Sequence, residues 1–291
     1  KSHTDDYDTE ETNMNHFRLR FPGGLGKAFT MSYDDGVEQD IRLIQIMREN
    51  GVKGTFNLNS GLYAPEGTVY PAGQVHRRMT ERQCLAAYAG SDVEVAVHAS
   101  THAFLEAVPT ATAMMEVISD RAKLEKDFGR IVRGMAYPFG TLSDDVVEIL
   151  RLAGIAYSRT TVSRLNFDIP TDWLRLGATC HHENPALTEL GEKFTVSAPN
   201  REPWLFYLWG HAYEFEGHDN WHVIERFLKT VGHRDDVWYA TNIEIHDYVQ
   251  AFRALRFSVD GKLAQNPTAV DVWALRDGEV VRIPAGATIR L

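Results

Sequence analysis

The stretch MSYDDGVEQD sets Asp34 and Asp35 side by side where an apolar run ends, and HASTH sets His98 and His102 four residues apart after another such run. Two adjacent carboxylates make each other harder to ionise wherever water is scarce, so the pair needs a reason. Taken alone, DDG reads as a solvated turn, because Asp-Gly is a common turn dipeptide. Taken alone, HxxxH reads as two surface histidines. Together, at the ends of neighbouring strands, two imidazoles and a carboxylate are the donor set of a hydrolytic metal centre with positions left open for water and substrate. A cation beside Asp35 would offset the repulsion between the acids and keep Asp34 ionised, able to accept a proton.

Such groups need a frame, and from Lys27 the sequence supplies one. KAFTMSY, VKGTFNLN, VEVAVHAS, RIVRGMAYPFG, GIAYSRT, WLFYLWG and DVWYATN read as strands. Between them lie helical stretches. DIRLIQIMREN carries Ile41, Ile44 and Met47 on one face and stops at Gly51; TERQCLAAYAG opens with Thr80 and Gln83 at capping-box spacing. A long helix is expected over 110–128, closed by Gly129, and another in SDDVVEILRLAG with Ser143 as N-cap; two more cover 221–230 and 243–255. Alternating strands and helices indicate parallel βαβ units, in a barrel or a doubly wound sheet. Either places chemistry at the carboxyl ends of the strands. The residues leaving those ends include Asn57, Asn59, Tyr137, Phe139, Arg159, His181, His182, His211, Tyr213 and Glu214. From residue 256 the chain turns to short strands separated by DG, NP and PAG turns, which predicts a small β appendage over 256–291 packed on the main domain.

The chain has 291 residues, of which 44% are apolar, and a formal net charge of -10 without any concentration of Lys and Arg. Nucleic acid and anionic membranes both require a cationic footprint and are poor partners for it. No run approaches the roughly 18 apolar residues of a membrane span. Cys84 and Cys180 form no metal-type pair and are read either as buried thiols or as a disulfide. Residues 1–16 are polar and nearly free of aliphatics, and are expected to form a loosely held arm. No signal peptide opens the chain as it stands, which favours an intracellular enzyme over a secreted one.

YDDG, then HASTH, then YPFG and an apolar strand ending in His211 resemble the polysaccharide deacetylase family, the NodB-homology group of carbohydrate esterases. The resemblance covers Lys27 to Tyr248 and implies a distorted (β/α) barrel of about seven parallel strands, spanning 17–255, with one divalent metal ion. By that likeness Asp35, His98 and His102 hold the ion, which is zinc, with cobalt or nickel as alternatives that the same donors suit. Asp34 is the general base, His211 the general acid, and the backbone N–H of Phe139 a donor to the tetrahedral oxyanion. Trp209, Tyr137, Tyr213 and Asn59 are the candidate contacts to an acetylated carbohydrate substrate. The oligomeric state is left open.

The chain also departs from the family. The third motif ordinarily begins with an arginine that pairs with the catalytic aspartate, and here Ala136 stands in its place. Arg133 or Arg159 must take over, or Asp34 works untethered. An Asp-Trp element corresponds to Asp172 and Trp173, or to Asp168, and neither is compelling. His181 and His182 invite a second metal, but two of twelve histidines falling together is unremarkable, and a functional role for them would be substrate contact rather than ligation. Two other functions fit the same residues: an amidase or imidase acting on a small non-sugar compound, and a carbohydrate-binding protein that has lost catalysis.

Overall fold

The computed structural model describes residues 17–291, so the arm expected over 1–16 lies outside the described residues. Two compact units are present, one of Gly26–Asp247 and one in which 17–25 joins Tyr248–Leu291.

The larger unit is a barrel of parallel strands. β2 (Lys27–Asp34) is buried along its whole length, as a strand covered on both faces must be. It pairs with β3 (Gly54–Leu58), which pairs with β4 (Val93–Val97), then β5 (Gly134–Ala136) and β6 (Tyr157–Ser163). On its other side β2 pairs with β9 (Trp204–Gly210) from Lys27 to Tyr33. The gap between β6 and β9 is closed by one irregular stave. Its first part, β7 (Leu176–Ala178), pairs with β6, and its second, β8 (Cys180–His181), pairs with β9. Between them Thr179 donates its backbone N–H to Tyr207 O at 2.8 Å, while Leu165 N–H bonds Thr179 O at 3.0 Å. With β7 and β8 counted as one, this is a distorted (β/α) barrel of seven staves. A short β10 (Val237–Tyr239) pairs with the first residues of β2.

The helices expected from the sequence form with their punctuation. They are α1 (Asp40–Glu49), α2 (Glu81–Ala87), α3 (Thr110–Phe128), α4 (Asp144–Leu152), α7 (Trp221–Val231) and α8 (Asn242–Arg253). Thr80 and Gln83 form a reciprocal capping box at α2, Ser143 caps α4, and Gly129 ends α3 in the left-handed conformation. The inner face of α1 departs from expectation. Ile41 is 49% exposed, and the buried side chains are Asp40, Leu43, Ile44, Ile46 and Met47. Leu43 and Ile46 flank Ile44 and Met47 on the helix surface and turn the stripe away from Ile41. Two helices lie outside the expected set, α5 (Leu187–Val196), which buries Leu187, Leu190 and Phe194 on one face, and the short α6 (Ala212–Gly217), which follows His211 directly with Glu214 at capping-box spacing.

The smaller unit is antiparallel. β1 (Phe17–Arg20) pairs with β13 (Val272–Arg276), which pairs with β14 (Glu279–Ile283). β11 (Arg256–Phe257), β12 (Leu263–Gln265) and β15 (Thr288–Arg290) form a second small sheet. The Tyr248 hydroxyl joins Arg20 O at 2.7 Å to Trp273 N–H at 3.0 Å. Among the described residues no helix is long and apolar enough to cross a membrane. Cys84 and Cys180 are buried free thiols.

Candidate active site

The barrel's carboxyl rim collects the ionisable groups. Asp34 is the last residue of β2 and is 2% exposed. Asn57 Nδ2, one strand over, donates to its Oδ1 at 2.8 Å. Arg159, from β6, donates a guanidinium N–H to its Oδ2. Arg159 therefore supplies the cation missing at Ala136, while Arg133 pairs with the distant Asp247. Burial pushes the Asp34 carboxyl up, but the Arg159 guanidinium, then His98 and His211, hold it below the ordinary carboxylate range. A buried ion pair contributes little net stability, yet losing one partner strands the other charge at a cost of about 3–5 kcal/mol. The Arg159 guanidinium also lies over the Trp209 ring, 4.3 Å from its centroid.

Asp35 turns away from β2 with φ 84°, a left-handed conformation that costs a non-glycine residue about 1–3 kcal/mol. The turn brings its Oδ1 to 3.8 Å from His98 Nε2 and 3.7 Å from His102 Nε2. HASTH is a loop, not a helical turn, with Ala99 and His102 both at positive φ. Asn59 holds it there, donating to His98 O at 2.5 Å and Ala99 O at 2.8 Å. His98 is 1% exposed, and its Nδ1 meets Ala136 O at 2.8 Å. Only an Nδ1–H can make that bond, so in the neutral ring it is the Nε2 lone pair that faces Asp35. Burial first, then His98, push the His102 imidazole down to about 4, so it is neutral near pH 7. Asp35, by contrast, is held ionised against its burial by the His76 hydrogen bond and by nearby cations. One carboxylate and two imidazoles, their donor atoms within 4.8 Å of one another, suit a divalent ion.

Opposite this triad, His211 follows the last residue of β9 and caps the start of α6. Its Nε2 is 3.8 Å from Asp34 Oδ2, and its Nδ1 is 3.2 Å from Glu214 Oε1. Burial lowers the imidazole pKa, but Glu214 and Asp34 more than offset this, and the net shift is upward. Glu214 sits among three imidazoles, with His181 Nε2 at 3.0 Å and His182 Nε2 at 3.4 Å. His181, His211 and Glu214 thus also converge within 4.8 Å. However, His181 Nδ1 accepts the Glu183 N–H at 3.1 Å, which leaves its proton on the Nε2 that faces Glu214. A proton-bearing array, not a second metal centre, follows from that tautomer. His182 is buried between Tyr33 and Phe215, and a Cβ at Gly210 would come within 1.9 Å of its ring, so only glycine fits there.

The remaining candidates divide. Phe139 has φ 60°, and its ring stands edge-on to His102 at 4.5 Å and stacks on Phe104 at 3.6 Å. The Tyr213 ring is 5.2 Å from that of His211, and the Trp209 ring 5.8 Å. Tyr137 is buried with its hydroxyl on Leu174 O at 2.7 Å, and the Asn59 amide is committed to the HASTH loop. Asp172 caps its own turn and pairs with Arg175 at 2.9 Å, away from the rim. Asn57, His76, Arg78 and Glu214 carry more of the site's geometry than sequence reasoning gave them. Only Glu214 had a local signal, its spacing of three from His211.

A family model described as polysaccharide deacetylase matches residues 24–158, which hold DDG, HASTH and YPFG. Among solved structures the chain is similar to a candidate polysaccharide deacetylase from Mycobacterium smegmatis, with 16% identity, coverage of 81% of this chain and 94% of that one, and a TM-score of 0.55. It is also similar to a family 4 carbohydrate esterase from Streptomyces lividans solved with acetate, at 13% identity over 74% of this chain and 93% of that one, TM-score 0.49. A Streptococcus pyogenes deacetylase solved with acetate gives 20% identity over 50% of this chain and 61% of that one, TM-score 0.42, so the chain spans about three fifths of that protein's length. No curated protein matches. The likeness to the mycobacterial protein establishes a shared fold.

Proposed function

Because this chain belongs to the polysaccharide deacetylase family, we propose that it hydrolyses acetyl groups from an acetylated carbohydrate, with a divalent ion held by Asp35, His98 and His102. The observation that carries this reading is the placement of an ionised, buried Asp34 between that triad and His211. When bound, the ion would polarise the acetyl carbonyl and make water more acidic.

The chain's own residues supply the rest. Asp34, tethered by Arg159 and Asn57, presents Oδ2 to the space shared by His98 and His211 and takes the proton of the attacking water. The N–H of Phe139 is our candidate donor to the oxyanion, on a turn closed by Gly140 N–H on Tyr137 O at 3.0 Å. His211 gives its Nε2 proton to the leaving nitrogen or oxygen as the bond to the acetyl carbon breaks. The electron pair stays on the leaving atom. Glu214, beside Nδ1, stabilises the protonated imidazole before this transfer. Tyr213, Trp209 and the Phe104–Phe139 stack surround the position a sugar would take. Zinc is the ion we assign, on the chemistry of the donors.

The test is acetate release from a panel of N-acetyl and O-acetyl oligosaccharides, compared with Asp34→Asn. The reading expects release by the native chain and a loss of at least about 100-fold in the variant, the scale of a general base. Release that the variant retains would refute the role of Asp34. No release from any acetylated sugar, with cleavage of a small cyclic imide or amide instead, would transfer the site to the non-sugar reading.

A further inference from the structure

We infer that His76 and Arg78, on the long excursion between β3 and α2, are positioning residues that lock Asp35 into one-oxygen presentation toward the ion. This rests on the metal reading above. The two oxygens of Asp35 have different surroundings. Oδ1 is the one near both imidazoles, 3.8 Å from His98 Nε2 and 3.7 Å from His102 Nε2. Oδ2 is taken by His76 Nε2 at 3.2 Å. Arg78 grips the same residue at two places, its Nη1 donating to the Asp35 backbone carbonyl at 2.6 Å and its Nη2 lying 3.4 Å from Oδ1. The carbonyl bond matters because Asp35 sits at φ 84° and needs an external hold to keep that conformation.

The excursion is itself fastened to the turn it serves. Glu38 N–H bonds Arg77 O at 2.8 Å and Met79 N–H bonds Gly36 O at 2.9 Å, so residues 77–79 run as a short antiparallel brace along 36–38. Arg77 adds ion pairs to Glu38 at 2.7 Å and to Glu216 at 2.6 Å. Arg78 spans from Asp35 to Asn59 Oδ1 at 2.9 Å, and Asn59 in turn holds the loop of the two imidazoles. One guanidinium therefore ties the carboxylate ligand to the segment that carries the other two. His76 is the outermost member, 41% exposed at its side chain, with its ring 4.8 Å from Tyr213. It can be removed without opening the core.

The consequence is that His76 sets how tightly the ion is held without itself being a ligand. Groups that hydrogen-bond a ligating side chain typically change metal affinity 10–100-fold when lost. Zinc affinity is measured by competition with a chromophoric chelator on the native chain, His76→Ala and His76→Gln, alongside the far-ultraviolet spectrum and melting of each metal-free protein. The inference expects an affinity lower by about 10–100-fold in His76→Ala, at unchanged fold and melting, on the same scale. It expects affinity within a few-fold of native in His76→Gln, whose amide N–H can reach Oδ2 in place of the imidazole. Arg78→Met, which removes the carbonyl grip as well, is expected to lose more than His76→Ala. A native chain that binds zinc and a His76→Ala chain that binds it equally well would overturn this inference alone. A native chain that takes up no zinc would overturn the metal reading and this inference together.

Discussion

Asp34 is shaped by neighbours that are far away in sequence. Arg159 is 125 residues downstream, and His211 lies at the end of a different strand. Its charge survives burial because Arg159, His98 and His211 together outweigh the desolvation. His211 shows the same logic in reverse, since Glu214 restores the basicity that burial removes. Glu214→Gln keeps the shape and removes the charge. The imidazolium is then harder to form, and a substrate whose leaving amine or alkoxide needs a proton should react about 100-fold more slowly. 4-Nitrophenyl acetate, whose leaving group departs unprotonated, should lose only a few-fold. Equal losses on both substrates, measured as kcat, would contradict the role given to Glu214. At this scale the sequence was informative where residues lie within one motif. DDG, HASTH and His211 are legible because each stands just past an apolar run. Arg159 was one of two cations the sequence offered for Asp34 and Asn57 stood among the strand ends, whereas His76 and Arg78 gave no sign, because what they do depends on which loops become neighbours. Ala136 announced that a cation had to be found and left Arg133 and Arg159 both open, a choice that only the pairing of the strands decides.

Elements place these groups by register. β2 pairs with both β3 and β9 near its carboxyl end, so Asp34, Asn57 and Gly210 leave adjacent strands at one level. The helix that follows β2 carries a cost. Asp40, at the first turn of α1, is completely buried, accepts from the Tyr88 hydroxyl at 2.5 Å and Val37 N–H at 3.2 Å, and leaves Oδ1 without a partner. Burial pushes its carboxyl up to about 8. The folded chain must then keep a proton that the unfolded chain releases near pH 4. Stability from this group is complete below that pH and falls by about 1.4 kcal/mol per pH unit until the folded pKa is passed. Asp40→Asn, which carries no proton to lose, should gain on the native chain steadily from pH 4 to pH 8 in denaturant unfolding. A stability difference that stays constant over that range would contradict a protonated Asp40. Most helices were legible from caps and periodicity, as at Thr80, Ser143 and Gly129. The stave of β7 and β8 was not. LRLGATCHH does alternate, with Leu174, Leu176, Ala178 and Cys180 set between Arg175, Gly177, Thr179 and His181, but it is short and broken in two, and it holds as a stave because β6 and β9 leave edges that it closes.

At the scale of the molecule, seven staves closing into a barrel explain why residues as distant as Asp34 and His211 share one rim. The alternation of strands and helices left a barrel and a doubly wound sheet equally open. The family resemblance chose between them, and the paired register around the whole ring agrees with it. The tail's short strands and turns predict β structure, but one of its sheets also takes in Phe17–Arg20, more than 250 residues earlier. A four-residue FRLR without a turn signal gave no warning of that pairing. The account of the whole molecule stands on a hydrolytic centre that depends on one ion held by three residues. The measurement that bears on it most directly is acetate release from an acetylated oligosaccharide by the metal-stripped chain, before and after one equivalent of zinc. The account predicts no release from the stripped protein and full recovery at a single equivalent. Undiminished release from the stripped protein, or recovery that needs two ions per chain, would contradict it.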